Sequence, residues 1–145
     1  HQGIIWAAGR KAIVPSLNPK IDLINSQLPI NSHFAVKGLN NVLAIGDVAF
    51  DEETPWPNNA QVAIQQGKAA AKILMALQNN QIPKSFKFDD LGEMLSLGYG
   101  QATITALGIT ISGPIAFQIR RMTYLTKLPV MGAGLRSASA WLLGL

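Results

Sequence analysis

The sequence contains no cysteine, which excludes disulfides, thiolate metal sites and a thiol nucleophile anywhere in its 145 residues. Histidine is nearly as scarce. His1 and His33 are the only two, and no carboxylate pattern accompanies either, so a histidine-based metal site is not expected. Acid is absent after Glu93. No apolar run reaches 18 residues, which argues against a spanning helix. No G-x-G-x-x-G occurs, so the glycine fingerprint that opens a dinucleotide site is missing from these residues. Internal repeats of 20–50 residues are absent too.

What is present is a globular composition: 48% hydrophobic and 14% charged residues, with both signs represented. The length is that of one domain. Residues 1–93 hold 8 Lys/Arg and all 8 Asp/Glu, which cancel, so the formal excess of +4 lies entirely in residues 94–145. Its carriers are Arg120, Arg121, Lys127 and Arg136. Four scattered cations are too few for a nucleic-acid footprint, and no nucleic-acid partner is expected. They suit an anionic lipid surface better. The chain starts with His1 and runs directly into apolar residues, which reads as a piece of a longer protein.

Along the chain, Ile4-Ile5-Trp6-Ala7-Ala8-Gly9 predicts a buried strand ending in a glycine turn. Residues 10–40 have no sustained period and read as connection. Val42–Ile45 predicts a second buried strand, stopping at Gly46-Asp47. Asp51–Pro57 reads as a surface loop, followed by an asparagine N-cap and a helix from Ala60 to about Gln78. On that helix Ala63, Gly67, Ala70, Leu74 and Leu77 form one stripe, with Gln61, Gln65, Lys68 and Lys72 opposite. Phe86–Ser112 predicts strands and hairpins. Pro114 opens a basic amphipathic helix bearing Ile115, Ile119, Met122, Leu125 and Leu128, ended by Pro129, and a second helix starts near Ala133.

Several features admit two readings. Asp47, at the end of a strand, is either an ordinary turn residue or a carboxylate that accepts hydrogen bonds from ligand hydroxyls, as acidic residues do for ribose. Gln61 and Gln65 lie one helical turn apart. Their amides either belong to a solvated face or donate to a carbonyl-bearing ligand such as a quinone. The start of the same helix favours nearby negative charge, as on a reduced flavin. Asp51, Glu52 and Glu53 match no calcium loop and read as solvated. The basic helix and Trp141 either pack on the core or lie on a membrane. No residue stands out as catalytic or as a proton donor.

The segments Ile4–Gly9 (IIWAAG), Asn41–Ala49 (NVLAIGDVA), Ala60–Lys68 (AQVAIQQGK) and Phe86–Ala102 (FKFDDLGEMLSLGYGQA) resemble, in order and spacing, the type II NADH:quinone oxidoreductases. The tail GPIAFQIRRMTYLTKLP looks like the cyanobacterial and plastid branch. The resemblance implies an α/β fold: the C-terminal part of a flavoprotein with two dinucleotide-binding domains, then a small β-hairpin region and amphipathic C-terminal helices. Residues 1–82 would end the FAD/NAD-binding region, and 83–145 would form a membrane-associating region. It further implies FAD as cofactor, contacted by Gly9, Gly46, Asp47, Ala60, Gln61 and Val62, and NADH or NADPH as substrate. Gln61 and Gln65 would border a quinone pocket for ubiquinone, plastoquinone or a naphthoquinone. Ile115, Ile119, Arg120, Arg121, Met122, Lys127 and Trp141 would meet lipid, on the cytoplasmic side of a bacterial plasma or thylakoid membrane. A homodimer is left open. The competing expectations are a non-catalytic membrane-surface module and another FAD/NAD-dependent enzyme such as a sulfide:quinone reductase.

Overall fold

The computed structural model describes residues 3–6, 9–128 and 130–143. They form two compact units, one within His1–Asp89 and one within Asp90–Leu145.

In the first unit, two short strands, β1 (Leu28–Ile30) and β2 (Ala49–Asp51), pair in parallel with Leu28 opposite Ala49 and Ile30 opposite Asp51. A two-stranded sheet this short is not stable alone. Its stability comes from the core of Leu28, Ile30, Phe34, Val36, Ala44, Ala49, Ala70 and Ile73, to which helix α1 (Ala60–Gln78) contributes the last two. Phe34 is fully buried although its φ is +65°, a left-handed conformation that bulky residues avoid. Packing against Phe86 and Trp56, at ring-centre distances of 5.3 and 6.3 Å, holds it there. Asn31 supports the same turn by accepting the N–H groups of His33 and Ala35.

Helix α1 begins where Asn59 caps it, its side-chain oxygen accepting the Val62 N–H at 2.9 Å. It ends at Asn79, and Asn80 follows at positive φ. The buried line on α1 is Val62, Gln66, Ala70 and Ile73. Of the apolar stripe expected from the sequence only Ala70 is buried, and Leu74 and Leu77 face outward. The reason is Gln66: a polar residue that apolar periodicity skips occupies an interior position because its amide has a backbone partner there.

Two strand expectations are corrected. Residues 3–6 are extended and exposed, with no strand partner among the described residues, and Ala7 and Ala8 lie outside them. A buried strand needs a ladder on at least one edge, and none is supplied to this segment. Gly9 has a φ of +84°, which glycine adopts without strain. Val42–Ile45 makes one bridge, Ala35 to Leu43, instead of a continuous strand. Its backbone bonds go to the Phe34–Val36 turn (Val36 N–H to Val42, Ala44 N–H to Phe34), whose left-handed residue prevents a regular ladder.

The second unit is a three-stranded antiparallel sheet, β3 (Glu93–Gly98), β4 (Gln101–Ala106) and β5 (Ile109–Gly113), followed by α2 (Pro114–Leu125) and α3 (Met131–Leu143). Register places Met94, Ile104 and Ile111 side by side, with Ala102 on the same face opposite Ser96 and Gly113. This face is covered by α2, whose Ala116 is buried with Ala102 and Ile104 and flanked by Met94 and Phe117. The other face is largely hydroxylic; Thr105 and Thr110 hydrogen-bond across it at 3.0 Å. Helix α2 begins at Pro114 as expected but ends at Leu125, before Pro129.

Gly92 leads into β3 with φ +93°, and a Cβ there would lie 2.3 Å from the Thr105 carbonyl oxygen and 2.8 Å from the Ala106 Cβ. Gly92→Ala is expected to cost about 3 kcal/mol, combining backbone strain with overpacking. Urea unfolding of the variant would measure it, and a change under about 0.5 kcal/mol, the scatter of neutral surface substitutions, would show that the sheet does not depend on this approach.

Candidate functional site

The turn Gly46–Val48 is a single 3-10 turn between the Val42–Ile45 segment and β2, and it faces the first residues of α1. Gly46 has φ +71°, and a Cβ on it would lie 3.4 Å from the Ala63 Cβ, so the turn and the helix approach closely. Gly46 donates its backbone N–H to the Gln66 side-chain oxygen at 2.6 Å, and Gln66 is 1% exposed. From the other side, the buried Gln27 amide nitrogen reaches the carbonyls of Asp47 at 2.8 Å and Ala49 at 3.1 Å, and the Asn58 side-chain oxygen at 3.2 Å. An amide has two hydrogens for these three acceptors, so one is shared. Two interior glutamines thus hold the turn against the helix entrance.

The Asp47 carboxylate itself remains near the surface, 3.3 Å from the Arg10 guanidinium, which also donates to the Asn58 carbonyl. Both charges are substantially hydrated, so the pair adds little stability. It does join Arg10, the turn and the helix entrance into one rim. The cavity behind the rim, lined by Gly46, Asp47, Trp56, Asn58, Val62 and Gln66 among others, has only about 10 Å³, no more than one water. Within this chain the site is therefore a surface, not a closed pocket.

Gln61 and Gln65 do point the same way along α1, with Gln65 Nε2 3.4 Å from Gln61 Oε1. Gln65 is also bound at both ends of its amide by one residue: it donates to the Asp89 carbonyl at 2.7 Å and accepts the Asp89 N–H at 3.0 Å. The Val62 N–H is occupied by the Asn59 cap. Ala60 and Gln61 open the helix, beside the Gly46–Asp47 turn.

The acidic loop after β2 serves structure. Buried Asp51 accepts the N–H groups of Glu53 and Thr54, and Glu52 pairs with Lys37 at 2.7 Å. The Glu52 hydrogen bond raises the Lys37 pKa above its ordinary 10.5; both side chains are about half exposed, and this interaction is complete at neutral pH and lost only as pH climbs through the raised value. Among the described residues no cluster of His, Asp and Glu could hold a metal ion.

In the second unit the apolar line of α2 is turned outward: Ile115 is 68% and Met122 63% exposed, with Ile119 between them also exposed. Arg120 lies over the Tyr124 ring at 4.6 Å, and Arg121 over Trp141 of α3 at 4.1 Å and Phe117 at 5.5 Å. Lys127 is exposed in the turn after α2. Among the described residues none of these cations has a carboxylate partner, and no helix is long and apolar enough to cross a membrane.

Sequence reasoning missed three residues here. Arg10 and Gln27 fall in the stretch 10–40 that reads as connection, and Gln66 lies in neither of the two stripes read on the helix. Only Gln66 carried a signal, its spacing of four from both Val62 and Ala70.

No protein-family model matches the chain. It is 31% identical over 140 residues to the alternative NAD(P)H-ubiquinone oxidoreductase C1, chloroplastic/mitochondrial, of Arabidopsis thaliana, covering 87% of this chain and 26% of that protein. It is 34% identical over 119 residues to demethylphylloquinone reductase NdbB of Synechocystis, covering 80% and 30%. With the type II NADH:quinone oxidoreductase of Staphylococcus aureus it shares 26% over 122 residues, covering 81% and 30%. The chain thus spans between 26% and 30% of the length of these relatives. Over that span the chain is similar in sequence to type II NAD(P)H:quinone oxidoreductases.

Proposed function

We propose that these residues serve a membrane-peripheral, FAD-dependent NAD(P)H:quinone oxidoreductase, in which hydride from NAD(P)H passes through FAD to a membrane quinone. The observation that carries this reading is the Gly46–Asp47 turn held against the start of α1, in a chain whose relatives are named as quinone reductases. The residues fit the cofactor. A side-chain-free Gly46 lets a ligand approach the backbone, the Asp47 carboxylate can accept from ligand hydroxyls, and the positive end of the α1 dipole at Ala60, Gln61 and Val62 favours negative charge.

Bound FAD would supply the two-electron chemistry; the chain's own part is placement and electrostatics. Gln27 and Gln66 keep the turn from moving, Arg10 balances the charge on Asp47, and α1 directs its dipole toward the rim. Gln61 and Gln65 would border the quinone, with Gln65 fixed by Asp89 and Gln61 adjacent to it. In the second unit, the outward line Ile115, Ile119 and Met122 would enter the interfacial region of a lipid surface, with Arg120, Arg121, Lys127 and Trp141 at headgroup level. This reading puts the protein on the cytoplasmic face of a bacterial plasma or thylakoid membrane, and a homodimer is compatible with it.

Gln66→Leu keeps the volume and removes the acceptor of the Gly46 N–H. It is expected to lower stability by about 1–3 kcal/mol, the cost of a buried unpaired donor, and to speed flavin release, read by flavin fluorescence after dilution. Unchanged release would separate the turn from the cofactor. Gln61→Ala is expected to raise the quinone KM about fivefold, one hydrogen bond, without slowing flavin reduction by NADH. Gln65→Ala should raise it similarly and also destabilise the fold, because both bonds to Asp89 go; a normal quinone KM in both variants would return the pair to a structural role. Replacing Arg120, Arg121 and Lys127 together by Gln is expected to weaken partitioning onto phosphatidylglycerol vesicles about a hundredfold, at about 1 kcal/mol per cation. Equal co-sedimentation of the variant and the parent protein would count against a lipid-facing tail.

A further inference from the structure

Between the C-terminal end of α2 and α3 runs an open groove of about 390 Å³, within the size range of small-molecule sites. Its lining is almost wholly apolar: Leu125, Leu128, Val130 and Leu135, with Gly134 and Ala138 where the two segments come close. A Cβ on Gly134 would lie 3.9 Å from the Leu125 carbonyl oxygen, so the two segments are in van der Waals reach at this point. Leu128, Val130 and Leu135 are exposed, and none is covered by another segment among the described residues. Arg121, stacked on Trp141, links the same two helices. Lys127 lies in the turn between them, and Arg136 is anchored on α3 by its bond to the Gly132 carbonyl.

We propose that this groove takes one acyl chain of an anionic lipid, whose headgroup is held by the cations that the same two helices and the turn between them carry. The inference rests on the membrane-surface reading above and makes it specific: a single lipid is bound in a site, beyond the general adhesion of a helix face. Charge complementarity selects this occupant. No acid follows Glu93, so a second copy would bring the same uncompensated cations against this surface. A neutral prenyl tail would fill the groove and leave the cations without a partner. An anionic amphiphile matches both the apolar lining and the charge.

The test uses the complete, FAD-loaded protein and monomeric dioctanoyl-phosphatidylglycerol, dioctanoyl-phosphatidylcholine and decyl-ubiquinone as calorimetric titrants. Phosphatidylglycerol is expected to bind at least tenfold tighter than phosphatidylcholine, and decyl-ubiquinone not to compete with it. Ala138→Leu, which fills the groove, should weaken phosphatidylglycerol about tenfold and leave vesicle co-sedimentation nearly unchanged. Leu135→Ser, at an exposed wall position where folding is not at stake, should weaken it several-fold. Equal affinity for the two lipids, competition by decyl-ubiquinone, or a concentration-dependent dimer abolished by Leu135→Ser would each overturn the inference. Short-chain lipid binding insensitive to both substitutions, in a protein that still sediments with vesicles, overturns the groove alone. A protein that fails to sediment yet binds phosphatidylglycerol through these residues supports the groove and overturns membrane adhesion.

Discussion

The backbone N–H of the half-buried Gly46 finds its acceptor in the side chain of Gln66, which is itself closed to water. That one bond sets the rotation of α1, because Gln66 must face inward, and with it Val62, Ala70 and Ile73. It also sets the distance of the turn from the helix, and glycine suits position 46 because the turn holds it at a φ of +71°. Gln27 then secures the far side of the same turn. A neutral buried amide does this without the desolvation cost of a charge.

The second unit depends on a different constraint. Its sheet is covered on one face by α2, and the contact is made by small residues, Ala102 and Ala116, on either side of Ile104. A helix that close can bury only a narrow line, so the larger apolar residues of α2 are left outside. Two of the four cations of the tail, which has no acids, lie on aromatic rings: Arg120 on Tyr124, Arg121 on Trp141 and Phe117. Ring stacking fixes a guanidinium in place while leaving much of its hydrogen-bonding capacity for an anion.

Much of the architecture was legible in the sequence, and the exceptions have physical causes. Helix α1, its asparagine cap, the hairpins and the proline-initiated α2 all follow from local signals: capping chemistry, Thr/Ile alternation and glycine punctuation. The two predicted strands failed because strand identity depends on a partner that local pattern does not reveal; Ile4–Trp6 has none among the described residues, and Val42–Ile45 meets a left-handed turn. At the candidate site the sequence singles out Gly46, Asp47 and the glutamine pair, and the structure sets the Gly46–Asp47 turn beside the start of α1. The residues that hold it, Gln27 and Gln66, were not, because a buried polar side chain is defined by a backbone group elsewhere in the chain. The same holds for Gln65, whose attachment to Asp89 no helical spacing could indicate.

Phe34 has a consequence beyond packing. A phenylalanine with φ +65° has no local reason to adopt that conformation; the turn exists only while Trp56 and Phe86 press against the ring. The chain reversal at residues 31–35 is therefore not a preformed hairpin that could seed folding but a feature acquired when distant segments have already met. The segment that faces it, Val42–Ile45, leads directly into Gly46. Order at the rim is thus a report on the core, and anything that loosens the aromatic cluster is transmitted to the turn as lost shape, with no rim residue altered.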